Sequence, residues 1–247
     1  MVMEAIMKII ISPSKTQNYS KTHESAVHEP VFYKEALYLN QRLKRLSKDA
    51  LRRLMHIDAT LLEQTHNNIK TFDAATPNYA ITTYTGLVYK YLHLDDYNKE
   101  QLEYMDKHLV ILSAMYGVLR PFDGIKPYRL DMKMPLVKPS LYKYWERHVA
   151  HYFKNEDVLI DLSSNEYGKM LPSNRIVIRF MEEKDHEYKN VATYSKMARG
   201  QLLHIMIKSR MTEPHQIKSV TFEGYHYNPN LSNERNYVFT RSILSNS

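Results

Sequence analysis

Four stretches of this 247-residue sequence bring together side chains able to hold an anion or move a proton. The first is Ser12-Pro13-Ser14-Lys15-Thr16, directly after the apolar run Met7 to Ile11. A lysine flanked by hydroxyls just past a buried strand is where α/β proteins place phosphate ligands. The GxxxxGK[ST] phosphate loop is absent, and no glycine lets the backbone wrap a phosphate, so a strand-ending turn with a solvated lysine is the competing reading. The second stretch runs from Ser113 to Asp131 and sets Tyr116, Arg120, Asp123, Lys126, Tyr128, Arg129 and Asp131 among prolines and glycines. Rigid turns presenting arginine and tyrosine suit a phosphate or oxyanion clamp, since guanidinium donates in a planar fork. A structural Arg–Asp network pinning an irregular loop needs the same residue types.

The third stretch, Asp161-Leu-Ser-Ser-Asn-Glu166-Tyr167, follows the apolar Val158 to Leu162, where carboxylates and hydroxyls serve either as acid–base groups or as helix caps. The fourth is Lys196, Arg199 and Gly200, read as the first turns of a helix, where cations oppose the helix dipole and point to an external anion. Solvated surface charge is the alternative.

Twelve histidines are scattered; His148 and His151 share a helix face, His23 and His28 a loop, and no HExxH or comparable spacing occurs. Neither a metal site nor a cofactor is expected. The absence of cysteine removes disulfides, thiolate metal sites and cysteine nucleophiles, and fits a reducing cytoplasm. No apolar run approaches the roughly 20 residues of a membrane span. A net charge of +7 and 20 tyrosines suit a polyanion partner with bases to stack on, although a generic basic protein has the same balance.

The elements that must position these groups read as a mixture. Met7 to Ile11, Val158 to Leu162, Ile176 to Phe180 and Tyr237 to Arg241 have strand character, and Val191 to Tyr194 is expected to pair with Ile176 to Phe180 across a turn at Glu182 to Glu187. Helices are expected at Pro30 to Ser47, Lys48 to Phe72, Asn98 to Leu109, Leu141 to Phe153 and Ser195 to Met211, with Thr212 capping another, and a loop from Gly117 to Pro139. Asp49 to Ile69 also reads as helix, a short hairpin at His56-Ile57-Asp58, and helix; with Arg42, Lys44, Arg45, Lys48, Arg52 and Arg53 this forms a basic patch faintly like a helix-hairpin-helix, without its glycines. The whole is expected to be one α+β domain, a mixed sheet flanked by helices, with residues 1–6 as an N-terminal extension.

The segments IISPSKT (Ile10 to Thr16), TYTGLVY (Thr83 to Tyr89), LSAMYGVLRPFDGIKPYRLDM (Leu112 to Met132), LYKYW (Leu141 to Trp145), LSSNEY (Leu162 to Tyr167), KMARG (Lys196 to Gly200) and FEGY (Phe222 to Tyr225) occur in an order that resembles the YaaA family of bacterial peroxide stress proteins. The resemblance implies a single mixed α/β domain and a cytosolic role in peroxide tolerance that limits iron-dependent damage. It also implies binding of double-stranded, including distorted, DNA through a positively charged cleft with a helix-hairpin-helix-like element. It brings no established reaction.

Two functions are therefore expected to compete. In one, Ser12, Lys15, Thr16, Arg120, Lys126, Arg129, Lys196 and Arg199 contact DNA phosphates while Tyr89, Tyr116 and Tyr128 stack on a base. In the other, a glycosylase- or lyase-like enzyme acts on a nucleobase or nucleotide, with Lys15 as nucleophile or anchor and Asp131 or Glu166 as acid–base groups. A monomer is expected.

Overall fold

The computed structural model describes residues 6–20, 27–185 and 187–242; residues 1–5 of the expected extension, and His23, lie outside them. β1 (Met7–Ile11) is the sequence MKIII, buried except at Lys8. A short run that is apolar on both faces is what a central parallel strand requires. α1 (Tyr33–Lys44) buries Ala36, Leu39, Asn40 and Leu43, a stripe at the helical period. The single helix expected over Lys48 to Phe72 is two: α2 (Lys48–Met55) and α3 (Ala59–Thr71). His56 breaks it by turning left-handed at φ 50°, and Asp58 caps α3 by accepting from the Leu61 N–H at 2.8 Å. The alternative reading of a three-residue connection at His56-Ile57-Asp58 is the one observed.

β2 (Asn78–Tyr79), α4 (Ala80–Thr83) and α5 (Leu87–Lys90) come next, then α6 (Lys99–His108), which opens with a reciprocal Asn98–Gln101 capping box. β3 (Leu109–Ser113) is wholly buried. The stretch expected to be loop after it contains β4 (Gly117–Leu119), antiparallel to β3, and β5 (Gly124–Ile125), paired with β2. Strands of two or three residues between prolines leave no alternation to read. Gly117 makes the reversal possible: its φ is +70°, and a Cβ there would lie 2.6 Å from the Trp145 ring.

α7 (Leu141–Tyr152), β6 (Val158–Asp161), β7 (Ile176–Lys184), β8 (Glu187–Lys189), α8 (Ala192–Ser209), α9 (Pro214–Ile217), β9 (His226–Tyr227) and β10 (Asn236–Ser242) complete the chain. The expected strand Val191 to Tyr194 does not form. β7 runs on to Lys184, and β8 turns back onto Glu182, Glu183 and Lys184. Asn190 then donates to the Phe180 carbonyl at 3.0 Å and to Ser195 Oγ at 2.7 Å, closing the hairpin where α8 begins. The cap of α9 is Glu213 rather than Thr212, in a capping box with Gln216 and with Pro214 at the first turn.

The main sheet has the order β4-β3-β1-β6-β7-β10-β9, with β8 on β7. Its five inner strands, β3, β1, β6, β7 and β10, are parallel, and the short outer ones antiparallel, so this is a single α+β domain with a mixed sheet. The chain leaves β1 towards β3 on one side and leaves β6 towards β7 on the other. The loops after β1 and β6 therefore part company, which opens a crevice at the carboxyl ends of these neighbouring strands.

One buried group gives the fold a pH response. His108 stacks on Tyr104 at 4.1 Å and faces the Met7 carbonyl at 2.7 Å; burial lowers its pKa, and the Met7 bond only partly offsets this. An unfolded histidine titrates near 6.5. As pH falls below about 6.5 the unfolded chain takes up this proton before the folded one, so the stability present above that value drains until the folded group also titrates. Urea melts at pH 7.5 and pH 5.5 are expected to show a smaller loss in His108→Gln than in the native chain, and equal losses would contradict the assignment.

Candidate functional site

The crevice between β1 and β6 is a cleft of about 450 Å³, lined by Ser12 to Gln17, Gly86 to Tyr89, Tyr128 to Asp131, Leu162, Ser164, Glu166, Tyr167, Lys196 and Arg199. Its floor is a bond between the two diverging loops: Ser12 Oγ accepts from the Ser164 N–H at 2.8 Å and lies 3.2 Å from Ser164 Oγ. The Tyr89 hydroxyl adds a bond to the Ser12 carbonyl at 2.9 Å. Ser12 thus belongs to the site as its tie, with its hydroxyl already engaged.

Each wall has a visible cause. Gly86 brings the start of α5 against the first loop, because a Cβ there would sit 2.6 Å from Ser14 Oγ. α8 closes on α5 at Gly200, where a Cβ would meet the Val88 carbonyl oxygen at 2.3 Å, so only glycine allows this approach. Lys196 and Arg199 reach the cleft from this face of α8. Because the helix begins at Ala192, they lie in its second turn rather than its first, beyond the range over which a helix dipole is felt. Their placement rests on side-chain geometry alone.

The loop after β6 is held by Asp161, 4% exposed at its side chain, which accepts from the Ser163 N–H and hydroxyl at 2.8 and 2.6 Å and pairs with Arg175 at 2.8 Å. Asp161 is therefore a scaffold, and Glu166 is the carboxylate that this loop delivers to the cleft. The opposite wall hangs on Tyr128, whose hydroxyl lies 2.7 Å from that of Tyr84 and 2.9 Å from Ser113 Oγ. Burial pushes the Tyr128 phenol up to about 12 and raises Tyr89 and Tyr167 well above the ordinary tyrosine range, so all three are neutral at physiological pH.

Of the residues singled out in the sequence, Ser12, Lys15, Thr16, Tyr89, Tyr128, Arg129, Asp131, Glu166, Lys196 and Arg199 come together here. Three do not. Arg120 donates to the wholly buried Asp123 at 2.9 Å and to the Glu29 carbonyl, the structural Arg–Asp network. Lys126 is buried, its ammonium bonded to the Tyr33 hydroxyl at 3.0 Å and the Asp73 carbonyl at 2.9 Å. Tyr116 has no exposed surface, and its oxygen accepts from the Lys126 N–H, so it has no face to offer a base. The spacing of the central block signalled a cluster but not which of its members face inward. The TYTGLVY segment contained a further wall residue, Gly86, whose role as the contact point with Ser14 no single-residue chemistry announced.

The electrostatic state of the cleft is unusual. Lys15 and Asp131 pair at 2.7 Å. Arg129 Nε, Arg199 Nε and Glu166 Oε1 are instead buried without a hydrogen-bond partner among the described residues. Burial lowers the Arg199 pKa, partly restored by the Asp161 charge nearby. A buried polar group left unpaired costs about 1–3 kcal/mol, more when charged. The side chains of Arg129, Arg199 and Glu166 line the cavity, but these three atoms are themselves enclosed, so whatever the site binds meets other atoms of the two guanidinium groups and the carboxylate. Among the described residues no group of three or more histidines, aspartates or glutamates is placed to hold a metal ion, and no helix is long and apolar enough to cross a membrane.

Fold and site together define an α+β protein with a largely apolar, charge-bearing cleft at the switch point among the parallel strands of a mixed sheet. The sequence model of the family described as peroxide stress protein YaaA matches residues 7–231, and the chain belongs to that family. It is 34% identical over 245 residues to a UPF0246 protein of Fusobacterium nucleatum, covering 95% of this chain and 99% of the relative. A UPF0246 protein of Finegoldia magna is 34% identical over 247 residues, covering 97% and 100%, and one of Francisella philomiragia 35% over 254 residues, covering 95% and 100%.

Proposed function

We propose that this member of the peroxide stress family is a cytoplasmic protein that binds double-stranded DNA, including distorted duplex, through this cleft, and thereby limits iron-dependent oxidative damage to it. The observation that carries the reading is the convergence of Lys15, Arg129, Lys196 and Arg199 on one cavity, against only Asp131 and Glu166. Cations gathered in a concave site focus potential on a polyanion, and each phosphate neutralised releases counterions. Arg52 and Arg53, exposed on α2 beside the His56-Ile57-Asp58 connection, line a second depression that supports a helix-hairpin-helix-like contact with a duplex backbone.

The test is duplex affinity between 50 and 200 mM salt, by fluorescence anisotropy. With four to six phosphate contacts, the logarithm of affinity is expected to fall with a slope of roughly −3.5 to −5.5 against log salt. Binding that is absent at 50 mM, or a slope near zero, overturns the reading.

A second reading, a glycosylase- or lyase-like enzyme on a nucleobase or nucleotide, is favoured by the unpartnered Glu166 carboxylate beside the cations. Backbone binding has no use for an anion there, whereas acid–base catalysis does. Incubation with duplexes carrying oxidised, deaminated or abasic positions tests it: a strand or base product lost in Glu166→Gln supports it, and no product from any of them counts against it.

A further inference from the structure

We infer that the cleft is a receptor for one nucleotide unit, its phosphate on Arg129 and Arg199 and a base or sugar donor on Glu166. This deepens the DNA reading above and rests on it for the nucleotide's source. Three observations lead to it. The charged lining is of both kinds, the guanidinium groups of Arg129 and Arg199 and the Glu166 carboxylate, so a ligand that pairs with all three must carry an anion and, apart from it, an N–H or O–H donor. A simple oxyanion satisfies the arginines alone and is repelled by Glu166. A nucleoside lacks the anion. A nucleotide has both, with phosphate at one end and ring N–H and sugar hydroxyl groups at the other.

Size points the same way. About 450 Å³ lies within the roughly 300–1,000 Å³ of small-ligand sites, so a duplex held by these cations rests across the mouth of the cleft and only a single unit enters it. The lining is also mixed: Leu87, Val88, Leu130, Leu162, Tyr89 and Tyr167 add apolar and aromatic surface to the charges, as the flat face of a base requires. The place in the fold is the third observation, since the carboxyl ends of diverging parallel strands are where open sheets hold nucleotides. A nucleotide can arrive free in solution, or as an unpaired unit of a strand turned out of the stack.

The experiment uses the full chain, with deoxyadenosine and thymidine 5′-monophosphates, inorganic phosphate and deoxyadenosine as calorimetric probes. In parallel, anisotropy compares a matched duplex with one carrying a single unpaired nucleotide. A nucleotide, free or unpaired in a strand, is expected to bind at least tenfold more tightly than its comparator: phosphate or nucleoside in the first case, matched duplex in the second. Glu166→Gln is expected to shrink that preference at least tenfold, weakening the nucleotide while inorganic phosphate and matched duplex, freed of the carboxylate's repulsion, bind no more weakly than to the native chain. Arg129→Gln is expected to weaken nucleotide and phosphate together. Preference for the free monophosphates without preference for the unpaired duplex identifies a free nucleotide; the reverse identifies a strand. If phosphate binds as tightly as the nucleotides and the two duplexes bind alike, the inference is overturned and the DNA reading stands. If no duplex binds but the free nucleotides do, the DNA reading falls and the receptor remains.

Discussion

Replacing Trp145 by alanine is expected to lower folding stability by about 3–5 kcal/mol, the cost of emptying a buried indole site. Trp145 has no exposed surface and packs against Phe32, Tyr144 and His148 at ring-centroid distances of 5.9, 5.0 and 5.6 Å. Its indole N–H also donates to the Ala114 carbonyl at 2.9 Å, inside the turn that joins β3 to β4. Alanine leaves a cavity and an unpaired carbonyl together, and the glycine reversal at Gly117 loses the ring that covers it. At about 2–4 °C per kcal/mol for a chain of this size, the melting temperature should fall by roughly 6–20 °C. Trp145→Phe should recover much of the packing but not the hydrogen bond. A drop below about 1 kcal/mol in the alanine variant would mean that the central block does not lean on this ring.

The second large effect is expected from Asp161→Ala, at about 3 kcal/mol. Removing one partner of a buried ion pair costs about 3–5 kcal/mol, and the low end applies because the Arg175 side chain is 21% exposed and water relieves it in part. The substitution also strands the Ser163 N–H and releases the loop that carries Ser164 and Glu166 into the cleft. Stability by urea melts and ligand affinity should therefore fall together. Asp161→Asn, which retains an acceptor for Ser163, should lose less of both. An alanine variant that melts like the native chain would show that the Asp161–Arg175 bond is not formed in solution.

These two residues also show how unevenly the molecule was legible. β1, α1, α6, α7 and β10 could be read from apolar runs and helical period, because their side chains face one core and the pattern is local. The hairpin of β7 and β8 was misplaced, because Val191 to Tyr194 offers more strand-forming side chains than Glu187 to Lys189, three exposed residues with Tyr188 alone between two charges. The Asn190 bonds that end the hairpin join Phe180 to Ser195 and are invisible along the chain. The site shows the same division. Lys15, Arg129, Glu166 and Arg199 stood out by type and by the segments that hold them, and one cleft contains all four. Lys126 and Arg120 looked the same in sequence. Which cations face the cavity and which pin a loop depends on Asp73 and Tyr33, far from Lys126 along the chain, and on the burial of Asp123. That burial made the Arg–Asp network, one of two readings open in the sequence, the one that holds for Arg120. Asp161 and Glu166, five residues apart, divide into scaffold and site for the same reason.

The central claim is that the cations of this one cleft meet phosphate. It is tested most directly by comparing the salt dependence of duplex affinity in the native chain and in Lys196→Ala/Arg199→Ala. Lys196 is exposed and Arg199 Nε has no partner among the described residues, so the pair can be removed without breaking a scaffold bond. Each cation that contacts a phosphate adds about one to the slope. The double variant should bind more weakly at every salt concentration, with a slope shallower by about two. An unchanged slope and affinity in a variant that melts like the native chain would place the DNA contacts elsewhere and contradict the assignment of this cleft.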